Sequence, residues 1–414
     1  MRLMRAMFLV VMAIGAVAAD AAIVKVAAAA QATALDDTSG NKCAGGGGML
    51  ECVFVNGGAI WYTKTADGVK WTPPLKIDDG ASPAIASSAN GAGLLYVTPA
   101  NSIAYRYRAG GAGWSAPSIV SQGFAMSPTL TAYGPRLFAA WIAGAQVWFA
   151  EIAENQLASA KSVEVVKALI PGKAEVSIAK TAIVALAPPK PGQPPLVRVF
   201  WFEMNKSVAP AGFFGVAYAD RVLPPSNTGW PSKSIQNLAV FGANASAANN
   251  GISLSADAIA STGDVFVAAS AITLIGPPKQ LTQLYHQNVR SATPWAMHTI
   301  SAKTSLIDVA ARVEGAVCPK VRVRIAVAEN PGGVGASWTR MATWGAVPEW
   351  SAMGTLSAGG RSPQALFWDD GTTPIGGRQF PRAVDVLFAE ASGIFAVTGP
   401  WAGPSDCIPK PEAP

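Results

Sequence analysis

The chain has 414 residues, half of them apolar and only 14% charged, with a formal net charge of +6. That composition excludes wholesale disorder and allows one large domain or two to three ordinary ones. Lys and Arg form no block, and two of the positive charges are Arg2 and Arg5, so nucleic acid is not an expected partner. In chain order, residues 1–30 come first as a signal peptide. "MRLMR" is a basic n-region and "AMFLVVMAIGAVAA" is an apolar run of signal length, too short for a membrane span. Small residues follow, which puts cleavage near Ala18–Ala22 or later, after "VAAAA". Residues 31–42 read as a flexible segment, 43–400 as a single β domain and 401–414 as a C-terminal tail. With no lipobox cysteine after the apolar run, the expected product is secreted or periplasmic, with no integral span after signal cleavage.

An even number of cysteines in an exported chain reads as two disulfides. Cys43 and Cys52 flank "AGGGGMLE" and can close a small loop; Cys318 and Cys407 would then tie a late turn to the tail. The other two pairings stay open. No C-x-x-C pair occurs and only His286 and His298 are available, so neither zinc nor any other cofactor is expected.

Two stretches, 49–88 and 93–133, share one order of features. Each has two alternating strands, a Gly-containing turn, Trp-Ser/Thr-x-Pro, a third strand, and Ser-Pro opening a fourth. Trp71 and Trp114 are 43 residues apart, and the pairs Ser82-Pro83 and Ser127-Pro128 are 45 apart. The pattern returns with drift around Leu157, Trp230, Trp295 and Trp350, and a last group ("SPQALFW", "VDVLFAE", "SGIFAV") has three strands. An all-strand period of this length predicts an all-β propeller of four-stranded antiparallel blades. Six or seven blades fit, and seven is favoured, with the N-terminal segment supplying the missing outer strand of the last blade. Blade one shows no obvious first strand. Each recurrent Trp is expected to pack over its turn and between neighbouring blades.

The run Thr65-Ala66-Asp67-Gly68-Val69-Lys70-Trp71 resembles the Asp-box, or BNR repeat, of the sialidase-like propeller superfamily, one residue short. The cadence of strands from Ser127-Pro128 to "VWFAE" is also similar to fucose-binding propeller lectins, which stack sugars on Trp between blades. The first resemblance implies a glycoside hydrolase, but the family's Arg-Ile-Pro motif is absent, since Arg324-Ile325 is followed by Ala326. No catalytic residue carries over. The second implies a binding module.

Candidate glycan-binding residues come from strand alternation. In "AYRYRA", Arg106 and Arg108 share one face and Tyr105 and Tyr107 the other. If the Arg face borders an inter-blade groove, its guanidiniums can hydrogen-bond sugar oxygens, with Trp114 or Trp148 available to stack. Glu203, Glu329 and Glu390 each end the second strand of a blade, so they point to equivalent spots on the ring. The favoured reading is an exported, monomeric, non-catalytic propeller that binds a glycan or a surface protein. A sialidase-like glycoside hydrolase and a structural envelope protein are the alternatives.

Overall fold

The computed structural model describes residues 22–28, 34–36, 40–46, 48–110, 112–144, 146–153, 163–166, 176–188, 195–205, 213–222, 236–240, 252–273, 279–291, 293–301, 305–314, 320–329, 337–345, 347–351, 353–357, 361–369, 382–390 and 392–400. Strand β1 is Ala22–Ala28. Blade I holds β2 (Cys43–Gly46), β3 (Met49–Asn56), β4 (Ala59–Thr65) and β5 (Leu75–Asp79). Blade II holds β6 (Ala81–Ser87), β7 (Gly91–Val97), β8 (Ile103–Ala109) and β9 (Ser118–Ser121). Blade III holds β10 (Ala125–Tyr133), β11 (Arg136–Ala143), β12 (Gln146–Ala153) and β13 (Val163–Val166). Blade IV holds β14 (Val176–Leu186), β15 (Leu196–Asn205), β16 (Phe213–Val222) and β17 (Gln236–Val240). Blade V holds β18 (Ser253–Ile259), β19 (Asp264–Thr273), β20 (Lys279–Asn288) and β21 (Ala296–Ser301). Blade VI holds β22 (Ser305–Glu314), β23 (Lys320–Glu329), β24 (Ser337–Trp344), β25 (Glu349–Trp350) and β26 (Gly354–Ser357). Blade VII holds β27 (Arg361–Asp369), β28 (Arg382–Glu390) and β29 (Gly393–Pro400).

The result is a seven-bladed propeller of antiparallel sheets. Blade VII is completed by β1, which pairs with β29. The N-terminal strand therefore closes the ring, as the favoured sequence reading required. This shifts two boundaries. The propeller begins at Ala22 rather than Cys43, and β1 lies inside the stretch 1–30 that was assigned to the signal. Cleavage after "VAAAA" would remove β1, whereas cleavage before Ala22 spares it.

The apolar core is divided among the seven seams between blades. Seam I/II is packed by Val53, Ile60 and Tyr62 against Ile85, Leu94 and Tyr96. Seam IV/V is packed by Phe200, Phe202 and Tyr218 against Leu254, Val265 and Tyr285. The recurrent tryptophans sit in these seams. Trp71 joins seam VII/I, Trp114 seam I/II, Trp295 seam IV/V and Trp350 seam V/VI. Trp230, Cys318 and Cys407 lie outside the described residues. Between β4 and β5, the turn that resembles an Asp-box is tied internally. Thr65 Oγ1 accepts from Gly68 N (2.9 Å), and Asp67 Oδ1 accepts from Val69 N (2.8 Å) and Lys70 N (2.7 Å). Gly68 has φ +71°, and a Cβ there would come within 2.9 Å of Val384 Cγ2 in blade VII, so only glycine fits.

Two features escaped the sequence reading. The first strand of blade I is the short, glycine-rich β2, which carries no alternating pattern. It is bonded to β3 by the disulfide Cys43–Cys52, whose cysteines face each other directly in the register. Within 31–42, read as flexible, the described residues are packed. Ala34, Leu35 and Lys42 are buried. Ala34 O accepts from Val55 N (2.9 Å), Asn41 O from Ile85 N (2.8 Å), and Lys42 Nζ donates to Pro83 O (2.7 Å). A Cβ on Gly40 would stand 2.7 Å from Pro128 O of blade III. The segment thus reaches inner strands of blades II and III, where its polar backbone finds partners that a sequence-local reading cannot anticipate.

Side chains link the inner strands around the axis. Ser127 Oγ accepts from Thr181 N (3.0 Å), and Ser253 Oγ from Ile307 N (3.0 Å). Asp257 Oδ2 accepts from Ala311 N (2.7 Å), and Asp308 Oδ2 from Ala365 N (2.9 Å). Ser82, Ser127, Lys180 and Ser362 have φ of 47°, 52°, 50° and 49°, each at a bulge in an inner strand. The Ser-Pro signature therefore marks a bulge that opens the next blade's inner strand.

Candidate functional site

Seam I/II gathers two Arg–carboxylate pairs and two tyrosine hydroxyls around the partly exposed Trp114. Arg106 and Arg108 project from β8 toward blade I, where each meets a carboxylate. Arg106 Nη2 lies 2.7 Å from Asp78 Oδ2, and its Nη1 donates to Ser115 O (3.0 Å). Tyr96 OH also donates to Asp78 (2.5 Å). Burial pushes Asp78 up, but the hydrogen bonds from Tyr96 and Arg106 outweigh it and hold the carboxyl below its ordinary value. Tyr96 is pushed up to about 12, by burial first and then by the Asp78 hydrogen bond. Arg108 forms an ion pair with Glu51 of β3, and both are buried. Tyr62 OH donates to Glu51 Oε1 (2.9 Å); burial, and next the Glu51 charge, push this phenol up. The Arg108 guanidinium lies 5.9 Å from the ring centroids of both Tyr62 and Trp114, and the two rings meet edge-on at 5.4 Å.

The Arg face lies against the seam with blade I, where both guanidiniums are already engaged by carboxylates. Trp114 belongs to this seam. Trp148 does not: it packs into seam II/III, one blade along, and its Nε1 donates to Ala143 O (3.2 Å). Trp61 of blade I makes the corresponding bond to Asn56 O (3.2 Å), so this is a repeated hairpin contact. Glu329 and Glu390 end β23 and β28, whereas Glu203 stands two residues before the end of β15. Glu203 Oε2 accepts from the buried Trp201 Nε1 (3.2 Å), Glu329 Oε1 from Ser301 Oγ (3.1 Å), and Glu390 Oε2 lies 3.5 Å from Ser392 Oγ. Glu203→Ala strands a buried indole N–H and is expected to cost about 1–3 kcal/mol by chemical denaturation. Among the described residues no three His, Cys, Asp or Glu side chains group as metal ligands.

Seam IV/V holds a related constellation. Tyr62 and Tyr218 occupy the same register after the outer-strand bulge, as do Glu51 and Arg198 on the preceding strands. Arg198 grips Asp220 with two bonds (2.5 and 2.7 Å) and Gln287 with a third (2.6 Å). Its guanidinium covers Tyr218 at 4.5 Å, and Trp295 Nε1 donates to Tyr218 OH (3.3 Å). Here both the guanidinium and the indole find acceptors. In seam I/II, Arg108 Nε and Trp114 Nε1 have no acceptor among the described residues. Buried donors left in this state are rare in folded proteins.

Sequence reasoning missed the carboxylates that complete these seams, Glu51, Asp78 and Asp220, and the inner-strand acids Asp257 and Asp308. A signal was available: Glu51 in "MLECVFV" and Asp308 in "SLIDVAA" interrupt runs that are otherwise apolar or small. Burial pushes Asp308 up to about 7 and Asp257 up to about 6. The folded chain then holds protons that the unfolded chain releases near the ordinary carboxyl value of about 4. This contribution to stability is present in full below about pH 4 and is lost as pH rises to about 7. Asp78 and Asp264, held below their ordinary values, act in the opposite sense below this window, and His298, held below its ordinary value by burial, opposes the trend within it as a single group against two. The melting temperature is expected to fall between pH 4.5 and 7.5. Asp308→Asn should flatten that slope, and an unchanged slope in this variant would refute the assignment.

No family model matches the chain, and no curated protein matches it in sequence. Solved structures share its fold. An ulvan lyase from a new family of polysaccharide lyase, bound to a GlcA–Rha3S saccharide, is 12% identical with a TM-score of 0.57, over 92% of this chain and 96% of that one. A lectin from Burkholderia pseudomallei is 13% identical with a TM-score of 0.51, over 88% of this chain and 99% of that one. Among the described residues no helix is long and apolar enough to cross a membrane.

Proposed function

We propose that this protein is an exported, monomeric, non-catalytic propeller that binds a glycan in the seam I/II groove. The observation that carries the reading is the pair of acceptor-less donors, Arg108 Nε and Trp114 Nε1, beside a half-exposed indole. A polyhydroxylated ligand supplies acceptors and an apolar ring face together. A sugar would enter by displacing the Trp114 ring from its edge-on contact with Tyr62. Arg106 and Asp78, both partly exposed, then provide donors and an acceptor for neighbouring hydroxyls. The fold likeness to a lectin and a polysaccharide lyase supports a carbohydrate ligand by analogy. The disulfide and the basic–apolar N-terminal segment support export.

A glycan array identifies the ligand, and calorimetry on Trp114→Ala and Arg106→Ala tests the groove. Each variant is expected to lose at least about tenfold in affinity, while the Arg106 ion pair contributes only about 1 kcal/mol to stability. Unchanged affinity in both folded variants refutes the site. A panel of fluorogenic glycosides run alongside is expected to show no turnover; turnover would move the chain to the hydrolase reading.

A further inference from the structure

Between the inner strands of blades V, VI, VII and I lies a cavity of about 180 Å³, whose lining includes none of Arg106, Arg108 and Trp114. It is smaller than the pockets that hold drug-sized ligands, and suits a molecule of monosaccharide size or less. Trp368, Phe367 and Leu50 form apolar walls, and Asn41, Asp257 and Arg312 bring polar groups. Gly45 is required by this shape, since a Cβ there would stand 2.8 Å from Trp368 Cδ1. Asp257 accepts backbone N–H bonds from Ala258 (2.8 Å) and Ala311 (2.7 Å). Among the described residues no cation pairs with it. The charged side chains around it both come from β22. Asp308, itself pushed up to about 7 by burial, bears a like charge only when ionised, and the Arg312 guanidinium lies over the Phe367 ring at 4.9 Å. The cavity walls formed by β2, β3 and β27 carry no charged side chain.

A carboxylate without a counter-ion, next to aromatic rings in a small cavity, is the complement of an ammonium group. We propose that this cavity binds a small organic ammonium of the amino-sugar class, with Asp257 as counter-ion and Trp368 and Phe367 as aromatic walls. The site is separate from the seam I/II groove and does not rest on it. Burial holds Asp257 at about 6, so ammonium affinity should fall as the carboxyl protonates.

D-glucosamine and D-glucose are matched probes, differing in an ammonium against a hydroxyl. Calorimetry and indole N–H chemical shifts on the full chain at pH 7 are expected to show glucosamine binding at least about tenfold tighter than glucose. That preference should shrink about tenfold at pH 5, as Asp257 goes from mostly ionised to mostly protonated. Asp257→Asn should abolish it, and Trp114→Ala should leave it intact, which separates this site from the groove. Equal affinity for the two sugars, no binding of either, or a preference that survives in folded Asp257→Asn overturns the proposal. Should that variant fail to fold, a preference in the unaltered protein that does not change between pH 7 and 5 overturns it equally.

Discussion

Removal of residues 2–28 is expected to yield a chain that either fails to fold or melts on the order of 10 °C lower, while removal of residues 2–20 leaves the melting temperature unchanged. The difference between the two deletions is essentially β1. Its Val26 and Ala27 are buried at seam VII/I, and it pairs with β29 from Ala22↔Thr398 to Ala28↔Gly393. Losing it exposes apolar surface worth about 2–3 kcal/mol and forfeits several ladder bonds of about 1 kcal/mol each. That is a large share of a typical stability of about 5–15 kcal/mol. It also leaves β29 as an open edge, which invites association between chains. A peptide spanning Ala22–Ala28 should rescue the longer deletion in trans. Equal stability of the two deletions, measured by calorimetry, would show that ring closure does not depend on this strand.

Glu51→Ala is expected to cost about 3–5 kcal/mol, because it leaves the Arg108 guanidinium buried without its carboxylate and removes the acceptor of Tyr62 OH. Arg108→Ala should be similarly severe. The double variant Glu51→Leu with Arg108→Met should be milder than either single change, since no charge then remains in the seam. Chemical denaturation of the unaltered protein, Glu51→Leu, Arg108→Met and their double variant forms a double-mutant cycle. Additive costs would mean that the two charges do not interact, contrary to the geometry. The severity also explains why Arg106 and Trp114, rather than Arg108, are the appropriate positions for testing ligand binding.

The architecture was legible because it is repeated. The spacing of Trp71 and Trp114 reports a blade period directly, and the three-strand C-terminal group implies a partner from the other end of the chain. What repeats is visible in one dimension. What pairs across seams is not. Alternation put Arg106 and Arg108 on one face of β8, and they do share the face toward blade I. Alternation carries no information about Glu51, 57 residues earlier, or Asp78, 28 residues earlier. Glu203, Glu329 and Glu390 show the converse. Equal positions in the repeat placed them at or near strand ends, yet each is engaged by its own local partner. The inner strand β2 was hidden because glycines give a backbone ladder without a side-chain pattern.

The joining of β1 to β29 also sets an order of events in time. Among the described residues β1 is made first, yet its sheet partner β29 is made last. Blades I to VI can assemble as the chain lengthens, but blade VII waits for contacts between residues at opposite ends of the sequence, which are the slowest kind to form. A chain interrupted anywhere before β29 is therefore an open arc. Blade VII, and with it the ring, locks only once β29 has been made.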